Sequence, residues 1–124
     1  MARRMVLGNG NTLVCLDKFG QVRDFYFPFV GQENHIGSNQ MHKIGIFIDK
    51  QMHWIDNGEW NIDIRYEHNS MVSQMLAQND RAKISVKLTD VVYNEKNIFL
   101  RKITLTNKDS YARNIKIFIN QQFK

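Results

Sequence analysis

The sequence has little proline and cysteine and contains no long apolar run. Pro28 is the single proline and Cys15 the single cysteine among 124 residues. One cysteine cannot form an internal disulfide, so nothing requires an oxidising compartment. A membrane-spanning helix needs about 18 or more apolar residues in a row, and no such stretch occurs. The N-terminal segment with Arg3 and Arg4 leads into Gly8, Asn9, Gly10 and Asn11 instead of the apolar segment of a secretory signal. We therefore expect a cytoplasmic protein.

The basic residues are not concentrated in any one segment. The chain carries 17 Lys and Arg against 12 Asp and Glu, a formal net charge of +5. Nucleic-acid-binding proteins usually gather such charge into a patch or a run. Here Lys83, Lys87, Arg101, Lys102 and Lys116 are scattered through segments of alternating polarity. Because this pattern is typical of the solvated side of a sheet, we expect neither a nucleic-acid nor a membrane partner.

Alternation of apolar and polar residues is the dominant pattern. In AKISVKLTDVV (82–92), Ile84, Val86 and Leu88 alternate with mostly polar neighbours, and KIGIFID, RKITLTN and NIKIFINQQF repeat the pattern. A period of two predicts half-buried antiparallel strands. About nine strands at intervals of roughly ten residues predict an all-β sandwich or barrel. The segment SMVSQMLAQND (70–80) also fits a helical stripe, but strand-like runs flank it at hairpin distance and favour a strand.

Short polar segments predict the turns. Gly20 follows Asp17 at the distance where a hairpin loop needs a left-handed residue. Residues 57–58, 79–80 and 107–110 predict further hairpins. No segment rich in proline, glycine or serine divides the chain into domains. The last ten residues, IKIFINQQFK, resemble a strand with no polar tail, so we expect the chain to end inside a domain.

Few residues have the setting of a reactive or metal-binding group. Cys15 lies in the apolar run TLVCL, which predicts an inert core thiol. LGNGNT lacks the spacing and the lysine of a phosphate-binding loop and predicts a turn. The histidines lack the short paired spacings of zinc sites. His35 and His42 with Glu33 remain a metal-binding alternative, but we expect no metal and no cofactor.

The acidic residues Asp56, Glu59 and Asp63 lie close together in the sequence. Glycoside hydrolysis needs an acid and a base that face one substrate. The surrounding WIDNGEWNIDI predicts a hairpin loop between Trp54 and Trp60. We therefore expect solvated turn carboxylates instead of a catalytic pair.

The most unusual segment is DFYFPFVGQENHIG (24–37), in which aromatic residues surround Pro28 and polar residues follow Gly31. With its neighbours it resembles the N-terminal domain of the prokaryotic glucoamylase-like enzymes of glycoside hydrolase family 15, which include glucoamylases, glucodextranases and some trehalases. The resemblance rests on an ordered series of motifs: GNG (8–10), DKFGQVRDFYFP (17–28), VGQENH (30–35), WID (54–56), LTD (88–90) and LR (100–101).

The resemblance implies an antiparallel β-sandwich of the supersandwich type, related to galactose-mutarotase-like folds. In the family this domain precedes an (α/α)6 barrel with a pair of catalytic glutamates, which hydrolyses α-glucosidic bonds with inversion. The family's sandwich domain is longer than this chain and the barrel is absent here. Residues 1–124 are therefore expected to be the first half of that domain and to lack hydrolytic activity alone. The expected partners are the barrel of the parent chain and an α-linked glucan or oligosaccharide. The alternative is a free-standing carbohydrate-binding β-sandwich.

Together, the resemblance and the residue pattern predict a polar tip after the aromatic strand end. Pro28 removes a backbone donor and ends regular pairing, and Gly31 releases the chain into a loop. The candidate substrate-binding residues are Tyr26, Gln32, Glu33, Asn34 and His35. Their amide, carboxylate, imidazole and aromatic groups suit sugar hydroxyls and pyranose faces. The competing interpretation is a loop that supports the domain interface without touching substrate. Open strand edges also predict self-association of the fragment.

Overall fold

The computed structural model describes residues 3–31, 33–36 and 42–123. Within these ranges the chain forms ten β-strands and no helix, so none is present there that could cross a membrane. The strands are β1 (Met5–Gly8), β2 (Leu13–Leu16), β3 (Val22–Tyr26), β4 (Lys43–Ile48), β5 (Gln51–Trp54), β6 (Asn61–Tyr66), β7 (Ser73–Asn79), β8 (Ile84–Val92), β9 (Phe99–Asn107) and β10 (Lys116–Asn120). The expected all-β class is confirmed, with ten strands where the sequence predicts about nine.

The strands pair antiparallel in three sheets. Their orders are β1-β2-β3, β10-β4-β5 and β6-β7-β8-β9. In the four-stranded sheet, Val86 of β8 lies between Ala77 of β7 and Leu105 of β9. Residues that pair across antiparallel strands project from the same face. The alternation seen in each strand therefore produces continuous apolar rows across the sheet.

Both three-stranded sheets pack against the apolar face of the four-stranded sheet. The larger core cluster joins β4 to the central strands and comprises Ile44, Ile46, Ile48, Ile55, Trp60, Met75, Ala77, Ile84, Val86 and Leu88. The smaller cluster joins β1, β2 and β3 to Val92 at the end of β8 and also contains Ile36. Leu88 and Val92 share one face because side chains alternate along a strand. The result is a sandwich-like, all-β domain with two adjoining cores.

The segment with helix-like spacing, residues 70–80, contains strand β7, as expected. Met75 and Ala77 are buried, whereas Leu76 between them is 40% exposed. A helix with the predicted stripe would have buried Met75 and Leu76 together. β7 is paired with β6 on one side and with β8 on the other, so its side chains alternate between the two faces of the sheet.

The predicted turns are all present, but two of them are not hairpins. The turns at 17–20 and 79–80 do join paired strands, β2 to β3 and β7 to β8. The turns at 57–58 and 107–110 instead connect strands in different sheets, β5 to β6 and β9 to β10. Turn residues specify a local change of direction. They carry no information on which strands will pair afterwards.

Strand β10 differs from the half-buried strand that its alternation predicts. All five of its residues are exposed, including Ile117, Phe118 and Ile119 at 41%, 44% and 48%. β10 is the outer strand of its sheet and pairs only with β4 among the described residues. The alternation did produce a strand, but within the described part of the chain its apolar side chains are only partly covered.

Candidate functional site

The segment that carries the predicted tip is a closed loop on the end of β3. The strand ends at Tyr26, and the chain then turns through a cis Phe27–Pro28 bond and through Gly31, whose φ is +85°. The chain returns beside the strand, where Asn34 forms a bridge with Tyr26 and the His35 amide donates to the Phe25 carbonyl at 2.8 Å. The polar residues are therefore held by a hydrogen-bonded base.

The Asn34 side chain is the centre of that base. Its Oδ1 accepts from the backbone amides of Phe25 and Ile36, each at 3.0 Å. Its Nδ2 donates to Asp24 Oδ1 at 2.9 Å. Asn34 thus connects both arms of the loop to a buried carboxylate. The side chain that the sequence suggested for sugar binding is engaged within the protein.

Asp24 is the buried carboxylate that receives these contacts. It is 9% exposed and also accepts from Arg3, through Nε and through Nη2 at 3.2 Å. Burial alone would raise the pKa of Asp24. The hydrogen bond and charge of Arg3, together with hydrogen bonds from Asn34 and Cys15, outweigh the effect of burial and lower the pKa. Asp24 therefore remains ionised in a largely dry position.

Cys15 lies opposite Asp24 in the β2–β3 pairing. Burial, reinforced by the Asp24 charge, raises the pKa of its thiol above the ordinary value. A raised pKa keeps the sulfur protonated and unreactive at neutral pH. This agrees with the predicted core thiol, and its neighbour Asp24 gives it a hydrogen-bonding role in the loop base.

The remaining candidates lie nearer the outer part of the loop. Glu33 is exposed, and Tyr26 and His35 are half-buried. The His35 Nε2 lies 2.7 Å from the Phe27 carbonyl, so the ring can donate there when Nε2 carries the proton. Gln32, the remaining predicted contact, lies outside the described residues. Tyr26, Glu33, Asn34 and His35 therefore belong to one compact loop, although only Glu33 is fully displayed.

The same loop exposes a group of apolar side chains. Phe29 is 64% exposed, Val30 43% and Phe27 38%. Exposed apolar groups that adjoin one another are typical of surfaces that bind a partner or a ligand. The loop therefore presents apolar as well as polar side chains at the surface.

The carboxylates at residues 56–63 do not form a facing pair. Asp56 makes an ion pair with Lys43 at 3.3 Å, and Asp63 makes one with Arg65. Within the described ranges, no group of three or more His, Cys, Asp or Glu side chains could hold a metal ion. Sequence reasoning missed the roles of Arg3 and Asp24, because Arg3 and Asn34 reach Asp24 from distant points in the chain.

Comparison with known proteins places this sandwich-like domain near the glycoside hydrolases. The chain is 22% identical over 119 residues to an uncharacterized glycosyl hydrolase of Methanocaldococcus jannaschii. The alignment covers 96% of this chain but 18% of that protein, so the chain spans less than a fifth of its relative's length. No protein-family model matches the chain, and no solved structure gives a significant match. The relationship supports a glycoside-hydrolase link without specifying family 15.

Proposed function

We propose that this chain is a non-catalytic N-terminal β-sandwich module of a larger, glucoamylase-like glycoside hydrolase of family 15. The observation that carries the proposal is the match to a glycosyl hydrolase along 96% of the chain but only 18% of the relative. The all-β fold is that expected for the family's accessory domain. In the parent enzyme the module packs against the (α/α)6 barrel, which hydrolyses an α-linked glucan or oligosaccharide with inversion.

The carboxylates of the chain support a non-catalytic role. An inverting glycosidase uses an acid and a base separated by roughly 6.5–9.5 Å across the scissile bond. Asp17 is bound to Arg23, Asp90 to Arg101 and Asp56 to Lys43. These pairings occupy three of the carboxylates with cations of the module itself. The chemistry is therefore assigned to the barrel.

The loop at 24–36 is proposed to contact the barrel near its sugar cleft. Hydrogen bonds of Asn34 to the Phe25 amide and to Asp24 hold the base of the loop. The exposed Phe29 and Val30 provide apolar area for docking. Glu33 would then supply an acceptor to sugar hydroxyls at the cleft, and the His35 Nδ1 would supply a second acceptor, since Nε2 bonds the Phe27 carbonyl.

The test uses the intact parent enzyme with Glu33→Ala and His35→Ala. If the loop touches sugar, these variants raise KM or lower kcat while the melting temperature changes little. If the loop only supports the interface, turnover is unchanged and the melting temperature falls. Glu95→Ala is the matched control, because Glu95 is an exposed glutamate in a different turn. The alternative of a free-standing carbohydrate-binding sandwich predicts a stop codon directly after the codon for residue 124.

A further inference from the structure

A polar pocket lies at the other end of the sandwich from the 24–36 loop. It has a volume of about 650 Å³ and is lined by β5, by the end of β4, and by the β4–β5, β5–β6 and β7–β8 turns. We call it the end pocket. Its polar lining includes Asp49, Gln51, His53, Asn57, Glu59 and Arg81. The end pocket lies near the start of β8, whereas Ile36 of the 24–36 loop packs with Val92 at the opposite end of that strand.

Glu59 is at the centre of the polar groups in the end pocket. Its Oε2 lies 3.7 Å from His53 Nδ1, and its Oε1 lies 3.9 Å from Arg81 Nη1. Asn57 Nδ2 approaches Oε2 at 3.4 Å. These separations are longer than those of strong charge-assisted hydrogen bonds. The Glu59 carboxylate and the Arg81 guanidinium therefore retain hydrogen-bonding capacity for a ligand.

The charges around the end pocket cancel. Asp49 is paired with Arg113 at 3.0 Å, and Glu59 faces Arg81. A site built for a phosphate or a polyanion would show an excess of cations. Here the positive and negative charges balance, and hydrogen-bond donors and acceptors are intermixed. Such a site suits a neutral ligand whose groups both donate and accept hydrogen bonds, as sugar hydroxyls do.

Part of the lining of the end pocket is apolar. Ile48, Met52 and Ala82 contribute to its lining. Beside Ala82, whose amide donates to Asn79 Oδ1 at 2.9 Å, the buried Asn79 Nδ2 has no partner among the described residues. The mixed lining offers apolar contact to the C–H groups of a pyranose ring and polar groups to its hydroxyls, and the volume is that of a small-molecule site.

We propose that the end pocket binds a neutral mono- or disaccharide, with Glu59 and Arg81 as the groups that hold its hydroxyls. This inference extends the proposed function, because it gives the module a sugar site of its own. It does not depend on whether the 24–36 loop reaches the catalytic cleft.

The experiment is a titration of the full 124-residue chain with maltose, monitored through the NMR chemical shifts of the backbone amides. We expect saturable shifts at residues 48–53, 57–59 and 81–82. Glu59→Gln and Arg81→Ala should each weaken binding by about tenfold, the loss expected for one hydrogen bond to a charged group. Both side chains are well exposed, at 42% and 85%, so the variants should fold normally.

Arg65→Ala is the control, because Arg65 is an exposed arginine that lines a different surface, and it should bind maltose as the unmodified chain does. The proposal is overturned if maltose and glucose give no saturable shifts. It is also overturned if Glu59→Gln and Arg81→Ala bind maltose as well as the unmodified chain does. Shifts confined to residues 24–36 would also contradict it, as would a preference for glucose phosphate over glucose. None of these results would alter the assignment of the chain as a module, which the reading frame after the codon for residue 124 tests.

Discussion

Asp90 and Arg101 face each other across β8 and β9 and form the central buried ion pair of the sandwich. Arg101 donates from Nε to Oδ1 at 2.7 Å and from Nη2 to Oδ2 at 3.0 Å. Its Nη2 also donates to the Gly20 carbonyl at 2.5 Å, which joins the β2–β3 turn to the four-stranded sheet. Burial raises the pKa of Asp90, and Arg101 partly offsets that effect. The pair therefore links the β1-β2-β3 sheet to the four-stranded sheet, and the burial of the Asp90 charge is the energetic cost of that link.

Removing Arg101 should destabilise the domain strongly. Arg101→Ala leaves a carboxylate that is 1% exposed without its partner, and breaking such a pair costs about 3–5 kcal/mol. The free energy of unfolding, measured by urea denaturation, provides the test. Arg65→Ala is the control, because the Asp63–Arg65 pair is 58% and 70% exposed and should contribute about 0–1 kcal/mol. Equal losses in the two variants would contradict the central role of Asp90 and Arg101.

Asn34 should matter for stability more than its neighbour Glu33. Asn34→Ala removes the contacts to Phe25, Ile36 and Asp24, and stranding such groups costs about 1–3 kcal/mol. Glu33→Ala changes an exposed side chain and should remain within about 0.5 kcal/mol of the unmodified chain. Thermal unfolding of the two variants compares them directly. If Glu33→Ala lowers the stability more than Asn34→Ala does, the hydrogen bonds of Asn34 do not stabilise the loop.

Acid should weaken the fold through Asp24. Its folded-state pKa lies below the ordinary 3.8, so the ionised carboxylate stabilises the fold at pH values above 3.8. That contribution is lost as the pH falls from 3.8 through the lowered folded-state pKa. Asp24→Asn cannot titrate and should lose less stability across this window. Urea midpoints at neutral pH and below 3.8 test the difference. Parallel pH dependence of the two proteins would show that Asp24 does not contribute.

The exposed edge strand β10 should drive self-association of the isolated chain. Antiparallel pairing of two copies centred on Phe118 would place Ile117 opposite Ile119 and Lys116 opposite Asn120, so that no like charges meet. Ile117→Lys and Ile119→Lys should each shift the chain towards monomer in sedimentation experiments. Leu76→Lys is the control, since Leu76 is similarly exposed but lies on the inner strand β7. A monomeric unmodified chain at high concentration would refute the prediction.

The sequence allowed much of the local structure to be predicted. The apolar residues of β8 alternate over a period of two, and that pattern requires only neighbouring residues. The turn at Gly20 was likewise evident, because its φ of +73° is a conformation that favours glycine. Each of these features depends on a short stretch of chain.

The sequence by itself thus determined the strands, the turn positions and the all-β class. Only the tertiary structure decided that β10 pairs with β4, that Arg101 reaches both Asp90 and Gly20, and that Asn34 is engaged in the loop base. Glu59 is an exposed carboxylate of the β5–β6 connection, as the sequence predicted, and the tertiary structure adds that it lies beside His53 and Arg81 in a pocket. The physical reason is that these partners meet through strand pairing and burial between distant segments, which local patterns of polarity do not encode.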